Sequence, residues 1–187
     1  MNKKKPYKRE LTKLILETLR DSVLVITLAG FAGPLAPKLL TRFAKYKMWY
    51  IRQQLKRLQR LKLIALREDH EGRIIAKLAP KGKAALERGE LWQMNLKKPV
   101  KWDGLWRVVA FDVPTVKKVS REFLRQHLKA LGFYHIQKSI FVCPYPCEEE
   151  LCRVCKFYEI EKHVSLLLAT SLGLHEKAVC YHFKLHP

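Results

Sequence analysis

WDGLWRVVAFDVP, residues 102–114, sets a short apolar run between two carboxylates, Asp103 and Asp112, and stops at a proline. The run 105–111 is shorter than a helix needs and is bounded by turn residues, so it reads as a buried strand. Asp112, directly before Val113, Pro114 and Thr115, could be a metal ligand, a helix cap or a scaffold residue. Its position suits bonding to backbone amides at the entrance of a following helix. Structural use is favoured over catalysis, because no second local carboxylate completes a set of hard ligands around it.

Downstream, Val119, Phe123, Leu124, His127, Leu128 and Leu131 keep helical spacing before Gly132 closes the run. FYHIQKSIFVCP (133–144) is extended, either as one bent strand or as two strands meeting near Gln137 and Lys138. A second helix is expected from Cys147, with Glu148, Glu149 and Glu150 in a first turn where the helix dipole favours negative charge. HVSLLLATS (163–171) and AVCYHFKL (178–185) read as closing strands. The resulting βαββαβ order predicts an α+β, ferredoxin-like domain over 102–187.

His127, on an apolar helix face, reads as a core side chain rather than a base. Cys143, Cys147, Cys152 and Cys155 raise the question of zinc, but the CxxC pair at 152–155 falls inside a helical pattern, whereas a zinc knuckle sits in a turn. Small buried thiols are the expectation, and no metal or other cofactor is assigned. Five cysteines confined to 143–180 do not form a disulfide framework and point to a reducing cytoplasm.

Charge separates the two halves. The 187 residues carry 37 Lys and Arg against 17 Asp and Glu, a net +20, of which +16 lies in residues 1–98 and +4 in the remainder. An anionic partner, nucleic acid before any other, relieves the self-repulsion of such a half. Residues 1–9 are a basic arm available to phosphates. Leu11, Leu14, Ile15, Thr18 and Leu19 begin a helix that runs on through the uncharged stretch 22–35, which is too short to span a membrane, until Gly33, Pro34 and Pro37 close it. A secretory signal is disfavoured by Glu10, Glu17, Arg20 and Asp21 ahead of the apolar stretch.

KLLTRFAKYKMWYIRQQLKRLQRLK, residues 38–62, has nine basic and no acidic side chains. It predicts a short helix and then a basic one, whose Ile51, Leu55 and Leu58 face a core while Arg52, Gln53, Lys56, Arg57 and Arg60 face outward. Residues 63–82 read as two alternating strands around a polar tip, 68–72, where Gly72 supplies a positive backbone dihedral. This order resembles the winged helix-turn-helix module over 10–88, with two departures: Lys62 where a helix-ending glycine is usual, and Pro34 and Pro37 shortening the second helix. Lys81, Lys83 and Arg88 extend the charge along a short following helix. Residues 89–101, with Pro99, read as a linker in which Trp92 packs on a neighbour.

The stretches WDGLWRVVAFDVP, LGFYHIQKSIFVCPYPCEEEL and FYEIEKHVSLL resemble the central domain of the PaaX-like transcriptional repressors, itself similar to CRISPR-associated protein two. The resemblance covers about 100–172 and implies a homodimer built through the ferredoxin-like domain, with winged helices meeting a two-fold-related DNA site. It also implies, from the CRISPR-associated side, a metal-binding role for Asp112. The full-length repressors continue into a third domain, so their coenzyme-A thioester effector is not carried over and any small-molecule effector stays open. The expectation is therefore a cytoplasmic, homodimeric regulator of transcription, a repressor by resemblance, that binds double-stranded DNA and no membrane. Lys45, Lys47 and Arg60 would hold phosphates; Tyr50, Arg52, Gln53, Lys56 and Arg57 would lie along the groove; Arg67 and Arg73 would grip backbone from the wing. No catalytic residue is expected. The alternative is a metal-dependent nuclease or CRISPR spacer-integration subunit using Asp112 with magnesium or manganese.

Overall fold

A computed structural model describes residues 4–185, in two compact units that divide between Gly89 and Glu90. Residues 1–3 of the expected basic arm lie outside the described residues, and from Lys4 onward the backbone is already helical.

The first unit is built from α1 (Lys4–Asp21), β1 (Leu24–Ile26), β2 (Phe31–Ala32), α2 (Ala36–Phe43), α3 (Met48–Arg60), β3 (Ile64–Glu68), β4 (Ile74–Leu78) and α4 (Pro80–Leu91). Its antiparallel sheet runs β2-β1-β4-β3. Leu11, Ile15 and Leu19 of α1 meet Leu39 and Phe43 of α2, Ile51, Leu55 and Leu58 of α3, and the sheet residues Leu24, Ile26 and Ala76 in one core.

The uncharged stretch 22–35 is not the helix expected of it. It is a hairpin, with Thr27 and Gly30 closing the turn and Ile26 registered against Ile74 of β4. The apolar all-round composition that suggested a buried helix also suits a short central strand, and pairing with β4 decides for the strand. At the end of α3, Lys62 takes the left-handed conformation (φ 59°). The Leu63 amide then reaches back to the Leu58 carbonyl at 3.0 Å and the Lys62 amide to Gln59 at 2.8 Å, so a lysine fills the helix-ending position that glycine usually holds.

The second unit holds β5 (Trp106–Phe111), α5 (Lys118–Ala130), β6 (Tyr134–Gln137), β7 (Ile140–Cys143), α6 (Glu148–Tyr158), β8 (Val164–Ala169) and α7 (Glu176–Phe183). All pairings in its sheet, β6-β7-β5-β8, are antiparallel. Val109, Phe111, Phe141 and Cys143 pack with Leu124 and Leu128 of α5 and Leu151, Val154 and Cys155 of α6. The other face carries Trp106 and Val142, covered by Val179 and Cys180 of α7. Leu91 and Leu96, expected in a linker, are buried in the core beneath α5 and α6. Trp92 stacks on the His127 ring with centroids 3.8 Å apart.

Two further expectations are corrected. Residues 178–185 are not a strand: α7 occupies that stretch, because Val179, Cys180 and Phe183 satisfy helical spacing against the sheet and Glu176 anchors the helix start. The Glu176 carboxylate accepts from the Trp106 indole at 2.9 Å, the Leu172 amide at 2.6 Å and the Ser171 hydroxyl at 2.6 Å. Val119, expected inward on α5, is exposed because it stands in the first turn, beyond the reach of the sheet.

Candidate nucleic-acid interface

Helix α3 sorts its side chains by charge and polarity. Ile51, Gln54, Leu55 and Leu58 are buried, and Trp49, Gln53, Lys56 and Arg60 follow i, i+4, i+7, i+11 spacing along the opposite, exposed stripe. Lys47, immediately before the helix, is exposed as well. Lys47, Lys56 and Arg60 carry no ion pair among the described residues, so their charge is available to a ligand.

Other expected contacts are committed within the unit. The Arg52 guanidinium, expected near base edges, donates to the carbonyls of Thr27 and Leu28, the latter at 2.8 Å, and so fastens the β1–β2 turn to α3. Arg57 is half-buried and reaches the Gln54 amide oxygen at 3.5 Å. Lys45 pairs with Glu10 at 2.9 Å, which raises its pKa further. Tyr50 is half-buried against the core, edge-on to Trp49.

The β3–β4 tip is organised by Asp69. Its Oδ1 accepts from the amides of Glu71 (3.0 Å) and Arg73 (2.9 Å), and Gly72 takes the positive φ (71°) that the turn demands. Arg73 is held by Asp69 at 2.6 Å and Glu71 at 2.7 Å. The guanidinium draws the Asp69 carboxyl below its ordinary range. Arg67 is exposed on β3, beside the acidic Glu68. Charge toward a polyanion is therefore concentrated on α3, and the tip is close to neutral.

Between the β1–β2 turn, α3 and the tip lies a cleft of about 250 Å³ with Ile26, Leu55, Leu66 and Ile74 in its walls and Arg52 and Lys56 at its edge. Sequence reasoning missed two features of this face. One is the tie from Arg52 to the turn, which follows from a hairpin that the apolar composition concealed. The other is Trp49, which is 61% exposed; its signal was legible, since it stands four positions before Gln53 on the outward stripe.

Asp112, in the second unit, does not cap a helix. The turn at Thr115–Lys117 has no side-chain cap, and among the described residues the Asp112 carboxylate has no hydrogen-bond partner. Its amide donates to the His163 carbonyl at 2.9 Å, and its side chain lines an open groove with Ser139, Lys162, His163 and Ser165. Among the described residues no three His, Cys, Asp or Glu side chains converge to hold a metal ion. A lone carboxylate beside a lysine does not fit a hydrated magnesium or manganese ion, which wants several oxygen ligands.

The four cysteines 143–155 likewise do not gather. Cys143, Cys147 and Cys155 are buried, and Cys152 is exposed. The neighbouring Cys143 thiol and burial raise the Cys147 pKa, and burial pushes the Cys155 thiol up to about 12, which keeps both protonated and unreactive. His127 is a core side chain: its Nδ1 lies 3.1 Å from the Phe123 carbonyl, and burial lowers its pKa.

Residues 99–180 match the family described as the PaaX protein central Cas2-like domain. That segment of the chain is a PaaX-type Cas2-like domain, in agreement with the stretches that carry the resemblance. No curated protein matches the chain. No helix among the described residues is long and apolar enough to cross a membrane.

Proposed function

We propose that the protein is a sequence-specific, double-stranded-DNA-binding regulator of transcription, a repressor, acting as a homodimer. The first unit serves as a winged helix-turn-helix in which α3 enters the major groove. The observation that carries the reading is the division of α3 into a buried apolar face and an outward stripe of Trp49, Gln53, Lys56 and Arg60, within a 25-residue segment that holds no acid. Amide, cation and indole groups at helical spacing are what base edges and flanking phosphates accept. The PaaX-type domain at 99–180 adds support, since its family is one of transcriptional regulators.

Pairing of two copies runs through the second, ferredoxin-like unit. Supporting it is β8, an edge strand of its sheet, which leaves Leu167 and Leu168 more than half exposed. An unpaired apolar edge is a template for a second chain. Selection of bound sequences from a random duplex library tests the whole reading: two matching half-sites in opposite orientation are the expected result, and an unselected pool would reject it.

A second reading draws on Asp112, whose carboxylate is uncommitted within the described residues. It would make the protein a metal-dependent nuclease or spacer-integration subunit with two Asp112 carboxylates brought together by the dimer. Incubation of DNA and RNA with magnesium or manganese discriminates the two. Cutting abolished by Asp112→Asn would establish the nuclease, and intact substrate would leave the regulator.

A further inference from the structure

Resting on the DNA-binding reading of α3, we propose that Trp49 is a specificity-determining residue that selects thymine by covering its 5-methyl group. Trp49 is 61% exposed in the first turn of α3, in line with Gln53, Lys56 and Arg60. An indole of that size in water is unfavourable, and it is not needed for packing, since the core of the unit is closed by Ile51, Leu55 and Leu58 on the opposite side. Its ring is steadied edge-on by Tyr50, with centroids 5.6 Å apart, so the face it presents is preformed.

The rest of the outward stripe is polar. Arg52, the remaining candidate for a base contact near the helix start, is spent on the Thr27 and Leu28 carbonyls. The amide of Gln53 matches an adenine edge, and Lys56 and Arg60 match guanine or phosphate. In the major groove the bases show their edges, and the one apolar group on those edges is the thymine methyl. An indole placed at the leading turn of a groove-bound helix therefore has one complementary base-edge group. Stacking on a base face would require an unpaired strand instead.

The test uses the full chain and the duplex recovered from random-library selection. Each thymidine is replaced singly by deoxyuridine, which removes the methyl and leaves the pairing unchanged. For the parent protein, one replacement per half-site is expected to weaken binding about fourfold, the equivalent of one buried methyl. Trp49→Ala is expected to lose about tenfold on the selected duplex and to become indifferent to that replacement. Trp49→Phe, which keeps an apolar face, should retain the discrimination, and undiminished binding of both variants to random duplex shows that they are folded.

Selective duplex binding in which no deoxyuridine replacement matters, or in which Trp49→Ala still senses it, overturns the inference and leaves the regulator intact. Failure to select any duplex overturns the regulator and the inference with it. Tighter binding to single strands than to duplex, dependent on Trp49, overturns both in favour of stacking.

Discussion

Arg52 of α3 donates to the carbonyl of Leu28 at 2.8 Å, which binds the β1–β2 turn to the helix that presents the basic stripe. A cation at this spot thus works on the protein's own backbone. Leu28 itself stands 93% exposed at the tip of that turn. Arg52→Ala is expected to lower stability by about 1 to 2 kcal/mol, the range for charged hydrogen bonds in a partly exposed setting, while the base preference of the chain stays as it was. Urea denaturation together with repeated library selection checks both halves of this expectation.

Gly82 and Gly89 lie in the same helix, α4, with opposite constraints. A Cβ at Gly82 would stand 2.0 Å from the Leu63 carbonyl oxygen, which the Ala79 amide also holds at 3.1 Å, whereas a Cβ at Gly89 meets nothing within 4 Å. Gly82→Ala should cost about 2 to 3 kcal/mol through overpacking against backbone. Gly89→Ala should gain about 0.5 to 1 kcal/mol by restricting the unfolded chain. Thermal melts of the two variants should move in opposite directions.

In the second unit, Arg107 is buried and held by both oxygens of Asp103, at 2.7 and 2.6 Å. The guanidinium holds the Asp103 carboxyl down to about 2. A carboxyl with a depressed folded value stabilises fully above its ordinary value near 3.8 and loses that contribution as the pH falls toward about 2. Asp103→Asn should cost about 2 kcal/mol at neutral pH, because it leaves a buried guanidinium without its counter-charge, and should flatten the loss of stability between pH ~4 and ~2. Denaturation across that range compares the two proteins.

His127 behaves in the opposite chemical sense but with the same slope. Stacked on Trp92 and near Tyr158, it is kept neutral by burial, so its folded pKa lies below the usual 6.5. The unfolded chain then binds a proton first, and stability declines as pH drops below about 6.5 until the folded value is passed. His127→Phe should remove this decline. Melting temperatures at pH 7.5 and 5.5 should differ for the parent and coincide more closely for the variant.

Much of the second unit was legible because period and punctuation agree there. The 105–111 strand, the helix before Gly132 and the acid-led helix after Cys147 each have apolar spacing and a clear stop. Wherever tertiary pairing chose between two periods, local signals were silent. Residues 22–35 became a hairpin only through β4, and 178–185 became a helix only through Trp106 and the open sheet face. The outward side of α3 was readable from spacing alone. The withdrawal of Arg52 and Arg73 into internal bonds was not, since it depends on carbonyls and acids brought near by the turn and the tip.

The most direct test of the account is the salt dependence of duplex binding by the full chain, set beside Lys56→Gln/Arg60→Gln. If these two cations meet phosphate, the double variant should bind more weakly and its slope of log affinity against log salt should be shallower by about 2, near 0.9 for each lost contact. An unchanged slope and affinity would contradict the assignment of α3 as the DNA-binding face.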